Sequence, residues 1–481
     1  MIAGLKPYPA MKDSGVPWLG QIPAHWAEKR GKYFFKEVDE RSMTGEEELL
    51  SVSHLTGVTP RSQKNVTMFK AESTVGHKLC GPGDVVVNTM WAWMAALGVA
   101  KEVGLVSPSY GVYRPHQPLL FLPEFIDHLL RTPPYVSEYI WRSTGITTSR
   151  LRLYPEQFLR IPLVCPPFDE QRLITRFVSA IDRLIRRYIR AKQELIKLLE
   201  EQKQAIIHRA VTCGLDPNVR LKPSLNQWFP ETPEHWNVLP IRRVILRSVD
   251  GPHHSPEYLD AGIPFLSARN IKPDRWSLDD AKFVSDSDYL EFCKRVKPEI
   301  GDVLYTKGGT TGVARAVDFG FKFQVWVHVA VLKLDKRKIT PDFLAAALNS
   351  PRCYEQSQLF TRGATNQDLG LGRMKDIVLP IPPLQEQEAI MAFVKTATLS
   401  LREMIDRAQR EIALIREYRT RLIADVVTGR LDVREAAARL PEEDPLRDFA
   451  SSREHDLSDV PSDTGEEPTD DLETTPEEAE A

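Results

Sequence analysis

Apolar positions recur every three or four residues over two long stretches of this chain. In the first they fall at Ile174, Val178, Ile181, Ile185, Tyr188, Leu195, Leu199 and Ile206. In the second they fall at Val394, Ala397, Leu401, Met404, Ala408, Ile412, Ile415, Leu422 and Val426. That spacing, held over several heptads, predicts two amphipathic coiled-coil helices. Each runs about 40 residues, or about 60 Å at 1.5 Å per residue, too long for one small core, and the two bury their stripes most economically against each other. Lys192 and Gln202 interrupt the first stripe, as polar residues do where a coiled coil fixes its register. Each helix is launched by the same phrase, PPFDEQRLITRFV from Pro166 and PPLQEQEAIMAFV from Pro382. Pro-Pro ends an extended segment and opens a helix. Glu170–Gln171 and Glu386–Gln387 then occupy equivalent first turns, where a carboxylate favours the helix N-terminus. That equivalence makes these four residues candidates for contacting partner proteins, with plain helix initiation as the other reading.

The launcher is one block of a longer repeat. MKDSGVPWLGQIPAHW from Met11 aligns with LKPSLNQWFPETPEHW from Leu221, and GPGDVVV around Asp84 with EIGDVLY around Asp302. GITTS from Gly145 aligns with GATNQ from Gly363, and AVTCGLD ending at Asp216 with VVTGRLD ending at Asp432. The blocks keep their order and nearly their offset, while the sequence between them differs. Short β-branched runs such as DVVVN, VYRP, IPLV, VWVHVAVLKL and DIVLPI read as strands, with helical stretches such as PDFLAAALNSPRCYEQSQLF between them. The expectation is an α+β fold with two tandem domains, each followed by one long helix. The segments are 1–165 (first domain), 166–215 (first helix), 216–381 (second domain), 382–436 (second helix) and 437–481 (acidic tail). Trp26 and Trp236, repeated in register, read as core anchors, with His25 and His235 as their structural neighbours.

Charge changes the picture. The net charge of −3 conceals two objects: residues 441–481 carry 16 Asp/Glu against two Lys/Arg, leaving the rest of the chain at +11. A basic body attracts polyanions, and an acidic tail rich in Ser, Thr and Pro reads as disordered and solvating. Five scattered cysteines argue against a disulfide framework or a zinc site and fit a reducing cytoplasm. Neither a signal peptide nor a membrane-spanning apolar run is legible.

No catalytic constellation emerges. TPPY at Thr132 lacks the Asn or Asp of an adenine-methyltransferase box, and no glycine-rich S-adenosylmethionine loop accompanies it. PDRWSLDDAK, with Asp274, Asp280 and Lys282, leaves little room for the turn between a nuclease's metal-binding strands. KGGTTG at Lys307 lacks the Gly-Lys-Ser/Thr that cradles nucleotide phosphates. What remains suits DNA. Lys307, Thr310, Thr311, Arg315 and His328 lie in or after one glycine turn, and Arg362 stands beside Thr365, Asn366 and Gln367. The first half offers Arg61, Gln63, Lys64, Asn88, Trp91, Trp93, Ser149, Arg150 and Arg152. Cations pair phosphates, and amides suit base edges.

Together these blocks, from Met11 to about Glu435, resemble the DNA-specificity subunit of type I restriction-modification systems. The resemblance implies that each globular half is a target-recognition domain for one half of a bipartite, asymmetric DNA site. It implies that the two helices pair antiparallel as a spacer and contact two methyltransferase subunits. It also implies that adenine methylation and ATP-driven cleavage belong to methyltransferase and restriction subunits, using S-adenosylmethionine, ATP and Mg2+, with no cofactor or catalytic residue in this chain. The acidic tail departs from the family's usual compact ending. A single-chain methyltransferase-nuclease would need the motifs found missing above, and a bare coiled-coil scaffold leaves two basic, divergent halves unexplained.

Overall fold

A computed structural model describes residues 5–63, 73–117, 120–145, 151–363 and 368–441. The chain divides into two compact units that cut across the sequence repeat, residues 1–190 with 412–481 and residues 191–411. The division follows from the long helices, which span Phe168–Cys213 and Leu384–Val427, 46 and 44 residues. Each unit therefore combines one globular domain, the launching part of its own helix and the closing part of the other.

Both domains are built on the same four-stranded antiparallel sheet. In the first unit the strand order is Phe35–Glu37, Gly111–Pro115, Val85–Val87, Leu97–Val99. In the second it is Ile245–Asp250, Val329–Leu334, Val303–Thr306, Ala314–Ala316. A turn aspartate braces each sheet in the same way. Asp84 accepts from the Gly81 amide (2.9 Å) and pairs with Arg114 (3.0 Å), while Asp302 accepts from the Glu299 amide and from Lys333 Nζ (both 2.7 Å). Two helices follow each sheet, Pro123–Leu130 with Pro133–Arg142 and Pro341–Leu348 with Pro351–Phe360. All four begin on proline, whose fixed φ and missing N–H suit the first helical position. TPPY is thus a helix junction, and Thr132 turns its hydroxyl back to Leu129 O (2.8 Å). The repeats diverge in what is inserted into this frame. The first unit carries the hairpin Leu50–Ser53/Gly57–Pro60 and the pair Lys78–Cys80/Gly104–Val106. The second carries a three-stranded sheet in which Ile263–Leu266 lies between Lys282–Val284 and Gln324–Val325.

The launchers are tertiary staples. Gln171 is fully buried; its amide donates to Leu120 O (3.1 Å) and Pro166 O (3.0 Å), and its carbonyl accepts from the Leu122 amide (2.7 Å). Gln387 repeats this with Lys338 O (2.8 Å), Pro382 O (2.9 Å) and the Thr340 amide (2.8 Å). Glu170 receives the Trp26 indole N–H (3.0 Å) and lies 2.7 Å from His25 Nε2. Glu386 receives Trp236 (3.0 Å) and lies 2.8 Å from His235 Nε2. Trp26 and Trp236 are core anchors, 1% and 0% exposed. Gln171 and Gln387, expected among residues offered to partners, instead spend their hydrogen-bonding capacity inside their own unit, and Glu170 is buried with them. Glu386 keeps part of its surface. The long helices close onto the same clusters: a Cβ on Gly214 would lie 3.2 Å from Trp236, and one on Gly429 only 2.9 Å from Trp26. Both glycines are left-handed (φ +78° and +81°), as helix C-termini favour.

The long helices pack together within each unit. In the second, Leu199 meets Leu401 and Ile405, with Ile196 and Ile206 alongside. Lys192 bonds Glu411 there across the pair (2.6 Å), so ascending positions on one helix meet descending positions on the other. In the first, Arg419 binds both oxygens of Asp182 (2.7 Å each). The stripe differs locally from the expected one. Tyr188, Leu195 and Met404 are exposed, and their neighbours Ile189, Ile196 and Ile405 turn inward. Lys192 bridges the helices as a register residue would. Gln202 is exposed, and the buried polar position is Lys203, salt-bridged to Glu200 (2.5 Å).

Candidate nucleic-acid interface

In each domain two loops meet beside the central sheet. In the first, the turn 88–96 between strands Val85–Val87 and Leu97–Val99 is tied to the segment 144–153: Thr144 pairs with Arg152, and the Leu153 amide donates to Thr89 O (2.9 Å). In the second, the turn 307–313 is tied to 362–369: Arg362 pairs with Asp368, and the Leu369 amide donates to Lys307 O (2.7 Å). The fold thereby gathers Asn88, Trp91, Trp93 and Arg152 in the first half, and Lys307, Thr310, Thr311 and Arg362 in the second, into one equivalent place. Lys64, Ser149, Arg150, Thr365, Asn366 and Gln367 lie outside the described residues.

Within these loops, buried residues build and exposed ones are free to bind. Asn88 is buried, donating to Tyr110 Oη (3.0 Å) and accepting from the Met90 amide (3.2 Å). Its role is to shape the turn. Trp93 anchors its indole on Met90 O (2.9 Å), and Trp91 and Trp93 are half-buried. Lys307 is buried too, its ammonium 2.9 Å from Asp368 and 3.5 Å from Asp250. Burial alone pushes the Asp250 carboxyl up, but Arg295 and Lys307 beside it outweigh burial and hold it below the usual range. The Lys307 charge is therefore neutralised internally, and the residue braces the 362–369 loop. Thr311 is likewise buried, accepting from Gln358 Nε2 (3.1 Å). Thr310, Arg362 and Arg152 are exposed in their loops, and His328 is exposed beside Gly308, where a Cβ would come within 2.6 Å of its ring. Arg61 and Gln63 lie in a short helical turn directly after the inserted hairpin of the first unit. Arg315 follows the 307–313 turn on the edge strand Ala314–Ala316, with its guanidinium 5.0 Å from the Trp276 ring.

Sequence reasoning missed Trp141, the outermost large side chain of helix Pro133–Arg142 at 77% exposure, with the Arg142 guanidinium 5.4 Å from its ring. That helix packs against the turn Ala92–Met94. Leu359 stands at the equivalent repeat position and is also exposed. The signal lay in the helix period: Tyr135, Glu138 and Tyr139 face inward, which turns residue 141 out.

Comparison with known proteins fits this geometry. Residues 254–410 match the model of the type I restriction modification DNA specificity domain. Over these residues the chain is similar to this family. It is 23% identical over 310 residues to a protein of Methanocaldococcus jannaschii provisionally named type I restriction enzyme MjaX specificity subunit, covering 62% of this chain. It is 22% identical over 317 residues to the type I restriction enzyme EcoBI specificity subunit of Escherichia coli, covering 64% of this chain. These matches span 64% and 65% of the relatives' own lengths. A solved chain, from a study of complex assembly and conformational transition in a type I restriction-modification system, shares the fold. It has a TM-score of 0.57 at 16% identity, covering 84% of this chain and 98% of that one. The matched residues run from the second domain into the second long helix, and the first domain shares the second's sheet order. Among the described residues no cluster of His, Cys, Asp and Glu is arranged to hold a metal. Nor is any helix there long and apolar enough to cross a membrane.

Proposed function

We propose that this chain is the sequence-specific DNA-binding subunit of a type I restriction-modification complex. Each domain reads one half of a bipartite, asymmetric site. The observation that carries this reading is the duplicated frame with unlike inserts: one scaffold, used twice, presents two different pairs of loops on a body of charge +11. Equal frames suit two copies of one partner, and unlike loops give unlike half-sites. The exposed cations Arg152 and Arg362 hold the register on phosphates, and the loops around them face the bases.

On this reading the chain works in the cytoplasm and performs no catalytic step. It docks two methyltransferase subunits, which use S-adenosylmethionine, and restriction subunits, which use ATP and Mg2+. The test is to express it with its cognate methyltransferase and map modified adenines. Exchanging the loops 307–313 and 362–369 of the second domain for those of a relative should change one half-site and leave the other intact. A site that changes in both halves, or methylation independent of this chain, overturns the reading.

A further inference from the structure

A cavity of about 430 Å³ opens in the second unit between the closing part of the first long helix, the launching part of the second and the strand Ala314–Ala316. Five cations line it, Lys203, Lys272, Arg275, Arg315 and Arg402. Two of them are engaged. Lys203 is buried against Glu200 (2.5 Å) and Asp274 (3.5 Å), and Arg315 reaches Asp318 (3.4 Å), whose other oxygen takes the Trp276 indole N–H (2.7 Å). Among the described residues Lys272, Arg275 and Arg402 have no ion pair. The remaining acid, Asp342, lies in the first turn of helix Pro341–Leu348, where the helix dipole already favours its charge. Arg315 Nε is buried without an acceptor. Burial pushes the guanidinium's pKa down, and the charge of Arg402 acts in the same direction. The cavity thus holds a guanidinium with one buried N–H unsatisfied, and unpaired cations around it.

The repeat shows what this place otherwise looks like. In the first unit it is filled by Asp182 bonded to Arg419, with His128 and the pair Asp127–Arg131 beside it. Aligned on the shared blocks, the second half has Thr398 for Asp182, Lys203 for Arg419 and Ala346 for His128. Ala345 replaces Asp127, and Asn349, which closes two hydrogen bonds on the Ala314 backbone, replaces Arg131. The second half has lost the Asp182 carboxylate and the His128 bulk, and keeps a cation, Lys203, at the Arg419 position.

We propose that this cavity is a phosphate-binding site, with Arg315 and Arg402 as its principal donors and Lys272 and Arg275 at its mouth. A tetrahedral oxyanion offers acceptors in several directions at once and would meet the unsatisfied Arg315 Nε–H together with Arg402. The volume accommodates inorganic phosphate or pyrophosphate. A free phosphate ligand is independent of the DNA-recognition reading, whereas a backbone phosphate of bound DNA rests on it.

The test uses the full chain with inorganic phosphate, with pyrophosphate and with a short DNA duplex, each titrated against wild type, Arg402→Gln and Lys395→Gln. Lys395 is exposed on the same helix outside the cavity and controls for net charge. Arg275→Gln provides a second variant at the mouth, and an unchanged melting temperature confirms folding of each. Phosphate or pyrophosphate binding that Arg402→Gln weakens about tenfold, and Lys395→Gln does not, establishes a free-phosphate site. This result stands even if the chain fails to bind DNA. Binding of DNA alone, with the salt dependence reduced by about one phosphate contact in Arg402→Gln only, assigns the site to the DNA backbone. Equal effects of Arg402→Gln and Lys395→Gln, or no effect of Arg402→Gln and Arg275→Gln with any probe, overturn the proposal.

Discussion

Trp26 donates its indole N–H to Glu170 at 3.0 Å across 144 residues of sequence. This bond fastens the start of the first domain to the launch of its long helix, and Trp236 with Glu386 does the same in the second unit. The repeated Pro-Pro…Glu-Gln phrase is kept twice because a polar pair and a buried tryptophan need each other. Glu170→Ala should cost about 2–3 kcal/mol, since a buried indole N–H loses its acceptor. Glu386→Ala should cost about 1 kcal/mol, because its side chain is already 28% exposed. Denaturant unfolding of the two variants checks the order; equal costs would mean that burial does not set the strength of the staple.

Ala95 is the one non-glycine among the described residues with positive φ (+65°). It sits in the turn that carries Asn88 and Trp93, where the equivalent turn of the second domain has the left-handed glycines Gly309 and Gly312. A Cβ is disfavoured in that conformation. Ala95→Gly should therefore raise stability by about 0.5–1 kcal/mol, net of the glycine's greater freedom in the unfolded chain. A melting-temperature comparison decides it, and a loss of stability would show that the methyl packs well enough to offset the strain.

How much of this was legible in the sequence depends on whether the signal was local. The launchers, the helices and most strands follow from prolines, β-branched runs and period. The exact stripe did not, because Tyr188–Ile189, Leu195–Ile196 and Met404–Ile405 are adjacent apolar pairs, and period alone cannot choose within a pair. Packing chose isoleucine each time. The candidate site was half legible for a different reason. Residue type flagged Asn88 and Lys307 as polar groups in glycine or aromatic turns, but the partners that bury them, Tyr110, Asp250 and Asp368, come from distant strands and loops. The internal role of Gln171 and Gln387 was hidden in the same way.

Acid should weaken the first unit in two steps. Burial holds the His128 pKa below its ordinary 6.5, so the unfolded chain takes up that proton first and stability falls as pH drops through about 6.5. Burial pushes Asp182 up, but Arg419, Arg186 and His128 outweigh it and hold the carboxyl below its ordinary 3.8. Its contribution is complete above that value and is lost as pH falls through the lower folded value. His128→Gln should flatten the first step and Asp182→Asn the second, in unfolding free energies measured from pH 8 to pH 3. A wild-type slope retained in both variants would place the acid sensitivity elsewhere.

Lys192 and Glu411 form the cross-helix ion pair of the second unit at 2.6 Å, and both side chains are about three-quarters covered. Reversing either charge alone should destabilise by about 1 kcal/mol. The double reversal Lys192→Glu with Glu411→Lys should recover part of that. Recovery is incomplete because Arg407, which donates to Glu411 at 3.0 Å, then faces a like charge. A double-mutant cycle measures the coupling, and zero coupling would make the pair a bystander in setting helix register.

Residues 441–481 carry −14 against the +11 of the rest of the chain. In a DNA-binding chain such a segment competes with phosphates for the same cations, and it does so most at low salt, where screening is weakest. Truncation after Leu440 should strengthen binding to an unrelated duplex several-fold at low ionic strength, and the gain should shrink as salt approaches 0.2 M. On the proposed reading half-site preference should stay unchanged, because the loops assigned to base reading are untouched. Fluorescence anisotropy on one non-specific and one cognate duplex separates the two effects. Equal affinities of full-length and truncated chains at low salt would mean that the acidic segment does not compete with DNA for the chain's cations. A changed half-site preference would instead assign it a part in recognition.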